Sequence, residues 1–386
     1  RDWSSDVCSS DLLKMIDDEQ KTVVVIDNGS NTIKAGFGGD DAPRKIFPSY
    51  VGYTKKSPIN LAMDEKSYYV GDEAKERRGR LDMHQPFMDS LAKNWEDVEN
   101  LWTYTLYDVL KVCPDKCYSV ITESPLNPKK YREKSIEILF ELFNFDGVYL
   151  ASKSLLSLYA TGRTTGCVVD SGYGSSYSVP IYEGYASPIT IQHLDMGGRH
   201  LDSFLNKILF EKGYEFTTPL ELELISEIKE KLCLLRPDSK FKPREGDFKN
   251  HPLPDDSIVR LSTERYSIPE AIFDPKRIGL EQDGLHEIVF KSILKSNSDI
   301  RKDIFSNVVL AGGNTLFENF QGRMKNELLE LAPVKTPINV IANKERQYSS
   351  WIGGSVIGNM DTFQFLCISR KDYEETGAKI VHYKTF

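Results

Sequence analysis

A pattern that occurs twice governs the fold this chain can adopt. Residues 22–40 read TVVVIDNGSNTIKAGFGGD, and residues 164–184 read TTGCVVDSGYGSSYSVPIYEG. In each, an apolar run of β-formers ends in Asp-x-Gly, and an alternating run follows the turn. Each stretch therefore predicts a β-hairpin whose tip is built from turn-forming residues. Two such hairpins far apart in one chain predict a duplicated α/β architecture with a cleft between the halves.

The turns also carry chemistry. Glycine and serine at a hairpin tip let successive backbone N–H groups converge on one point, a concavity that suits phosphate. Asp27 and Asp170, at the two strand ends, stand where each can hold a hydrated divalent cation against those phosphates. Lys34 adds a point charge within reach of the first turn. Either turn alone is only a hairpin; the pair points to a nucleotide clamp. A third glycine element, NVVLAGGNTLFENF at 307–320, places Gly312 and Gly313 after an apolar strand. Paired glycines there admit either a flat ligand or tight strand-to-helix packing. Between these elements, 220–235 has helical spacing, and the Pro-, Gly- and charge-rich 236–256 reads as an exposed loop.

A chain of 386 residues with 40% hydrophobic side chains can build two or three domain cores. No apolar run approaches membrane-spanning length, so no membrane insertion is expected. A net charge of −8 without a Lys/Arg block gives nucleic acid no footing as a partner, and no basic cluster marks nuclear targeting. The opening RDWSSDVCSSDL (1–12) lacks the basic start and apolar run of a secretory signal. It resembles a translated sequencing adapter, which places the expected true start near Leu13 or Met15, or upstream. Outside it the cysteines are Cys113, Cys117, Cys167, Cys233 and Cys367, an odd and scattered set that suits a reducing compartment. CPDKC at 113–117 has no further ligands nearby and reads as thiols rather than a zinc site.

Longer runs then carry a resemblance to a family. DNGS (27–30), KAGF (34–37), GDDAPR (39–44), YVGDEA (69–74), LNPK (126–129), GRTTG (162–166), VPIYEGYA (179–186), IKEKLC (228–233), WIGGS (351–355) and IVH (380–382) resemble actin in order and nearly in spacing. The likeness covers essentially everything after Leu12. It implies an α/β, actin-like fold: two ribonuclease H-like α/β domains, in four subdomains, around a nucleotide cleft. The implied boundaries are 13–160 plus 351–386 for the first domain, with a small subdomain at about 49–85. The second is 161–350, with a small subdomain at about 197–273.

Position by position, the resemblance implies ATP or ADP bound by Asp27, Asn28, Gly29, Ser30 and Lys34 of the first turn, where Asn31 replaces a glycine. From the second turn come Asp170, Ser171, Gly172 and Gly174, and around the nucleoside Gly198, Lys229, Glu230, Gly312, Gly313, Asn314, Leu316 and Gln347. Mg²⁺ or Ca²⁺ is implied at Asp27 and Asp170, through water. The departures fall in this same cleft. Lys153 stands for the family's water-positioning glutamine, Tyr173 for an aspartate near the metal, Tyr177 for a histidine beside the attacking water, Gln347 for a lysine and Ser226 for an arginine.

Lysine has three donors and no acceptor, so Lys153 predicts slow or absent hydrolysis in a family of slow ATPases, with a reduced dependence on the cation. Partners implied are the chain itself or actin in filaments, and actin-binding proteins at a groove including Tyr159, Thr164, Val356, Ile357 and Leu366. The loop 55–66 keeps Ile59, Leu61 and Met63 for subunit contacts but gains charge and a proline. The expectation is a divergent actin or actin-related protein, a nucleotide-bound structural subunit located in the cytoplasm and cytoskeleton, with the nucleus left open. Two other readings are a conventional filament-forming ATPase and an adaptor in a chromatin-remodelling or dynactin-like complex.

Overall fold

The computed structural model describes residues 22–55, 66–88, 91–238, 240–244 and 246–385. The leader 1–12 and the loop positions Ile59, Leu61 and Met63 lie outside the described residues.

The first hairpin forms as its sequence predicts, from strands Val23–Asn28 and Thr32–Phe37. It sits inside a six-stranded sheet: Ile368–Ser369, Gly147–Ser152, Tyr118–Glu123, Val23–Asn28, Thr32–Phe37 and Lys45–Pro48, in that spatial order. Val23–Asn28 runs antiparallel to its hairpin partner and parallel to Tyr118–Glu123. The second hairpin, Gly166–Ser171 with Ser176–Tyr182, occupies the matching place in a second sheet. Its first strand runs parallel to Val308–Ala311, which runs parallel to Val340–Ile341. The repeat read in the sequence is thus a repeat of sheet topology.

The first strand of each hairpin is buried on both faces, which is why its apolar run is continuous rather than alternating. Val24 and Ile26 pack beneath one face with Leu101, Trp102 and Phe145, while Val25 packs on the other with Leu156 and Trp351. In the second sheet Cys167 and Val169 face one core and Val168 the other, beside Leu155 and Leu158. Helix Lys153–Tyr159 therefore lies between the sheets, sending Leu156 to one and Leu155 and Leu158 to the other. Helix Ser349–Gly358 packs across it so closely that a Cβ at Gly353 would stand 1.9 Å from the Leu156 carbonyl oxygen. Trp351, fully buried, donates its Nε1–H to the Val25 carbonyl at 3.1 Å and fixes this helix to the first sheet.

Two expectations need correction. Helical spacing predicts 220–235, but the helix is Pro219–Leu232 and ends where Leu234 and Leu235 donate to the carbonyls of Arg265 and Glu318. Tertiary backbone bonds override the periodicity there. The expected loop 236–256 contains strand Lys249–Pro252, paired with Ile258–Leu261; the Pro- and charge-rich composition hides a short hairpin with one face exposed and the other, carrying His251, Val259 and Leu261, buried. Of the cysteines, Cys117, Cys167, Cys233 and Cys367 are buried thiols and Cys113 is exposed. Among the described residues no helix is long and apolar enough to cross a membrane.

Candidate functional site

The two hairpin tips and the third glycine element converge on a cavity of about 610 Å³, within the range of small-molecule sites. Asp27, Gly29, Ser30 and Lys34 reach it from the first hairpin, and Asp170, Gly172, Tyr173, Gly174 and Tyr177 from the second. Gly198, Lys229, Glu230, Gly312, Gly313, Asn314, Leu316 and Gln347 complete the far wall, and Lys153 lines it from the helix between the sheets. Asn28 and Ser171 do not reach it. The Asn28 carboxamide accepts from Trp102 Nε1 at 3.0 Å and donates to the Thr122 carbonyl at 3.3 Å. The Ser171 hydroxyl pairs with that of Ser176 at 2.8 Å, and Asn314 Nδ2 approaches it at 3.2 Å. Both residues hold the turns from behind.

The first turn is electrostatically closed. Hairpin register sets Lys34 opposite Asp27, and its Nζ lies 3.1 Å from Asp27 Oδ2. The other oxygen, Oδ1, accepts from Thr122 Oγ1 at 2.8 Å and faces Lys153 Nζ at 3.9 Å. Burial alone would raise the Asp27 carboxyl; Lys34, Lys153 and the Thr122 hydroxyl outweigh it and hold it below the usual range. Lys153 opens its helix, an unfavourable place for a cation because the N-terminal backbone N–H groups are themselves positive. It is held by donating to the Asn28 carbonyl and by facing Asp27. Burial pulls its ammonium below the usual lysine range, with Asp27 opposing. Asp170 behaves oppositely to Asp27: enclosure raises it, only partly countered by Lys153.

The two glycines of the third element have different jobs. A Cβ at Gly312 would meet the Ser171 carbonyl oxygen at 2.3 Å and Asp170 Oδ1 at 2.5 Å, and its φ of +85° is glycine territory. Gly312 is therefore close packing. A Cβ at Gly313 would meet nothing within 4 Å, so its backbone is open to a ligand in the cavity. Asn314 Nδ2 donates to the Gly172 carbonyl at 2.7 Å and ties this element to the second turn. Lys229, although on the wall, is committed: its Nζ lies 2.7 Å from Asp202 Oδ1 and donates to the Gly198 carbonyl at 3.3 Å. Ser226, a departure from the family pattern, hydrogen-bonds Asp202, whose carboxyl is raised by burial and drawn back by Lys229.

Tyr173 lies against Gly198, with its Cδ2 3.2 Å from where a Cβ there would be. Burial, with Asp202 and Tyr50, pushes its phenol far above the ordinary range. The Tyr177 hydroxyl accepts from Ser124 Oγ at 3.1 Å. Sequence reading missed Ser124, Cys233, Phe317 and Tyr348, which also line the cavity. Phe317 and Tyr348 directly follow the named Leu316 and Gln347, so adjacency was the available signal.

A separate apolar face carries Val356, Met360, Phe365 and Leu366, all exposed, with Tyr185 70% exposed nearby in sequence to Gly184, which packs on Tyr159 Oη. Ile357, expected on this face, is only 4% exposed: the helix turn that puts Val356 outward puts Ile357 into the core beside Trp351. Thr164 is at the surface, its carbonyl accepting from Gly184 N at 2.8 Å. A protein-family model described as Actin matches residues 18–386.

Proposed function

With that match spanning nearly its whole length, the chain belongs to the actin family, and we propose that it is a divergent member that holds ATP or ADP in the cavity between its two sheets, as a structural subunit with slow or absent hydrolysis. The family generally binds ATP or ADP with a divalent cation. The proposal includes the two-domain division, 13–160 plus 351–386 and 161–350. Return of Ile368–Ser369 to the edge of the first sheet supports it.

The observation that carries the hydrolysis reading is the direction of Lys153. Its ammonium lines the cavity, donating to the Asn28 carbonyl and facing Asp27. Hydrolysis of a terminal phosphate depends on a water held in line by an acceptor, and an ammonium supplies none. Losing such a positioning group typically costs on the order of 10²-fold or more in rate. Nucleotide binding is supported by the open backbone at Gly313 and by the convergence of both turns on one cavity. Assembly with itself or actin, and docking of helical partners on the face of Val356, Met360 and Leu366, belong to the same reading, as does a cytoskeletal location.

The test is direct. Purified full-length chain is analysed for retained adenine nucleotide, then for phosphate release with ATP, then for concentration-dependent pelleting. Retained nucleotide with phosphate release far below that of a conventional actin run in parallel is the expected result. Absence of bound or bindable nucleotide would overturn the reading. Phosphate release at the conventional rate would return the chain to the ordinary filament-forming ATPases.

A further inference from the structure

The residues between the hairpins do not suit a hydrated divalent cation, and this misfit has a consequence for the nucleotide-binding reading on which it rests. A cation held through its water shell needs carboxylate oxygens free to accept from that water. Asp27 has Lys34 Nζ on one oxygen at 3.1 Å and Thr122 Oγ1 on the other at 2.8 Å, with Lys153 Nζ 3.9 Å away. The neighbouring position that could supply another acid is Tyr173, which has none. Of the two turn aspartates, Asp170 alone has no side-chain hydrogen bond or ion pair among the described residues, whereas Asp27 has a contact on each oxygen that competes with water.

Charge at the same place has moved the other way. Lys34, Lys153, Asp27 and Asp170 sum to zero before any ligand enters. With the glutamine at 153 and aspartate at 173 that the resemblance implies, one positive charge would be lost and one negative gained, a net charge of −2 at the same positions. The difference equals the charge of one divalent ion. The Lys153 side chain is 13% exposed, opens on the cavity, and donates to the Asn28 carbonyl at the tip of the first turn. An ammonium carries three N–H donors, so two remain for a ligand oxygen.

We propose that the Lys153 ammonium takes the place of the divalent cation, so that this chain holds a nucleoside di- or triphosphate with Lys153 and Lys34 as counter-charge and without a requirement for Mg²⁺ or Ca²⁺.

Nucleotide-free full chain is titrated with ATP by calorimetry, once in excess chelator and once in excess Mg²⁺, for the unaltered protein and for Lys153→Gln and Lys153→Arg. The unaltered chain is expected to change affinity by less than about threefold between the two conditions, whereas Lys153→Gln loses about tenfold or more in chelator and recovers part of it with Mg²⁺. Lys153→Arg, which keeps the charge, stays close to the unaltered chain in chelator. Collapse of affinity on chelation in the unaltered chain overturns the inference and leaves the nucleotide reading standing. Absence of binding in both conditions overturns both. Thermal unfolding without nucleotide checks that the variants fold, and if Lys153→Gln does not, the chelation comparison on the unaltered chain still decides.

Discussion

A lysine at 153 exchanges an acceptor for donors, and its effect on chemistry cannot be separated from its neighbours. Tyr177 pairs in register with Asp170, Tyr173 covers Gly198, and both line the cavity beside Lys153. Groups that act as a unit are restored as a unit. We expect Lys153→Gln alone to raise phosphate release by no more than about threefold, and the triple change with Tyr173→Asp and Tyr177→His to exceed every single change by about tenfold or more. Conventional release by Lys153→Gln alone would remove the two tyrosines from the account. At this scale much was legible. Asp-x-Gly turns declare themselves, and a residue seven positions past Asp27 on a two-strand hairpin comes back opposite it. What could not be read was who occupies Asp27: Thr122 lies on a strand nearly a hundred residues away, and nothing in its local sequence announces the contact. The inward turn of Asn28 toward Trp102 was hidden for the same reason.

Two helices far apart in the chain meet at Glu223. Its carboxylate, on helix Pro219–Leu232, lies 3.1 Å from Lys75 Nζ on helix Gly71–Arg77 and 3.3 Å from Arg78 Nη1 just beyond it. The groups are partly exposed, so each pair contributes little and salt weakens it. Glu223→Gln should speed release of a fluorescent nucleotide by up to about fivefold at low ionic strength, with the difference shrinking as salt is added. Equal release rates for both proteins at low salt would show that the clasp does not gate the cavity.

A second element-scale prediction concerns the C-terminal helices. Asp372 accepts from Lys384 Nζ at 2.6 Å and from the Ser369 backbone N–H at 2.9 Å, and Lys384 followed by Ser369 lowers its pKa to about 2. A carboxylate depressed on folding stabilises the fold above its unfolded pKa near 4, and that contribution is lost as pH falls from about 4 to about 2. Hydrogen exchange across 369–385 should rise over that window. In Lys384→Ala, which raises the folded pKa toward 4, the rise should be smaller and should finish at a higher pH; an unchanged profile would mean the contact contributes nothing. Helix Arg370–Thr376 was legible in outline, since Ser369 and Asp372 form a capping box. The strand Lys249–Pro252 was not, because a half-exposed strand with proline and charge has the composition of a loop.

For the whole molecule the decisive layer is helix Lys153–Tyr159 between the sheets, with helix Ser349–Gly358 packed on it and on the first sheet. Helix Lys153–Tyr159 carries the cavity lysine at one end and packs against both sheets, so a change in its seating moves Lys153 relative to both turns. Gly353→Ala places a methyl group 1.9 Å from the Leu156 carbonyl oxygen and must push the helices apart. Overpacking of this kind costs about 1–3 kcal/mol, so a lower denaturant midpoint with weakened nucleotide affinity is expected. A stable protein with normal affinity would show the layer to be compliant. The duplicated plan was readable from the repeated hairpins. The chain's return to its first half came only from the resemblance, because the edge strand Ile368–Ser369 is two residues long and carries no local strand signal of its own.

That return sets an order in time. The strand Val23–Asn28 is among the earliest described parts of the chain to be made, yet the tryptophan packed on its Val25 face is Trp351, and the sheet's far edge is closed by Ile368–Ser369. At about 5–20 residues per second, a ribosome needs tens of seconds to travel between them. Throughout that interval the second sheet can finish while the first has Leu156 but not Trp351 against Val25 and Val120. During synthesis the half that begins first must be completed last, and a growing chain of this design needs shelter for its N-terminal sheet until its final few dozen residues have emerged.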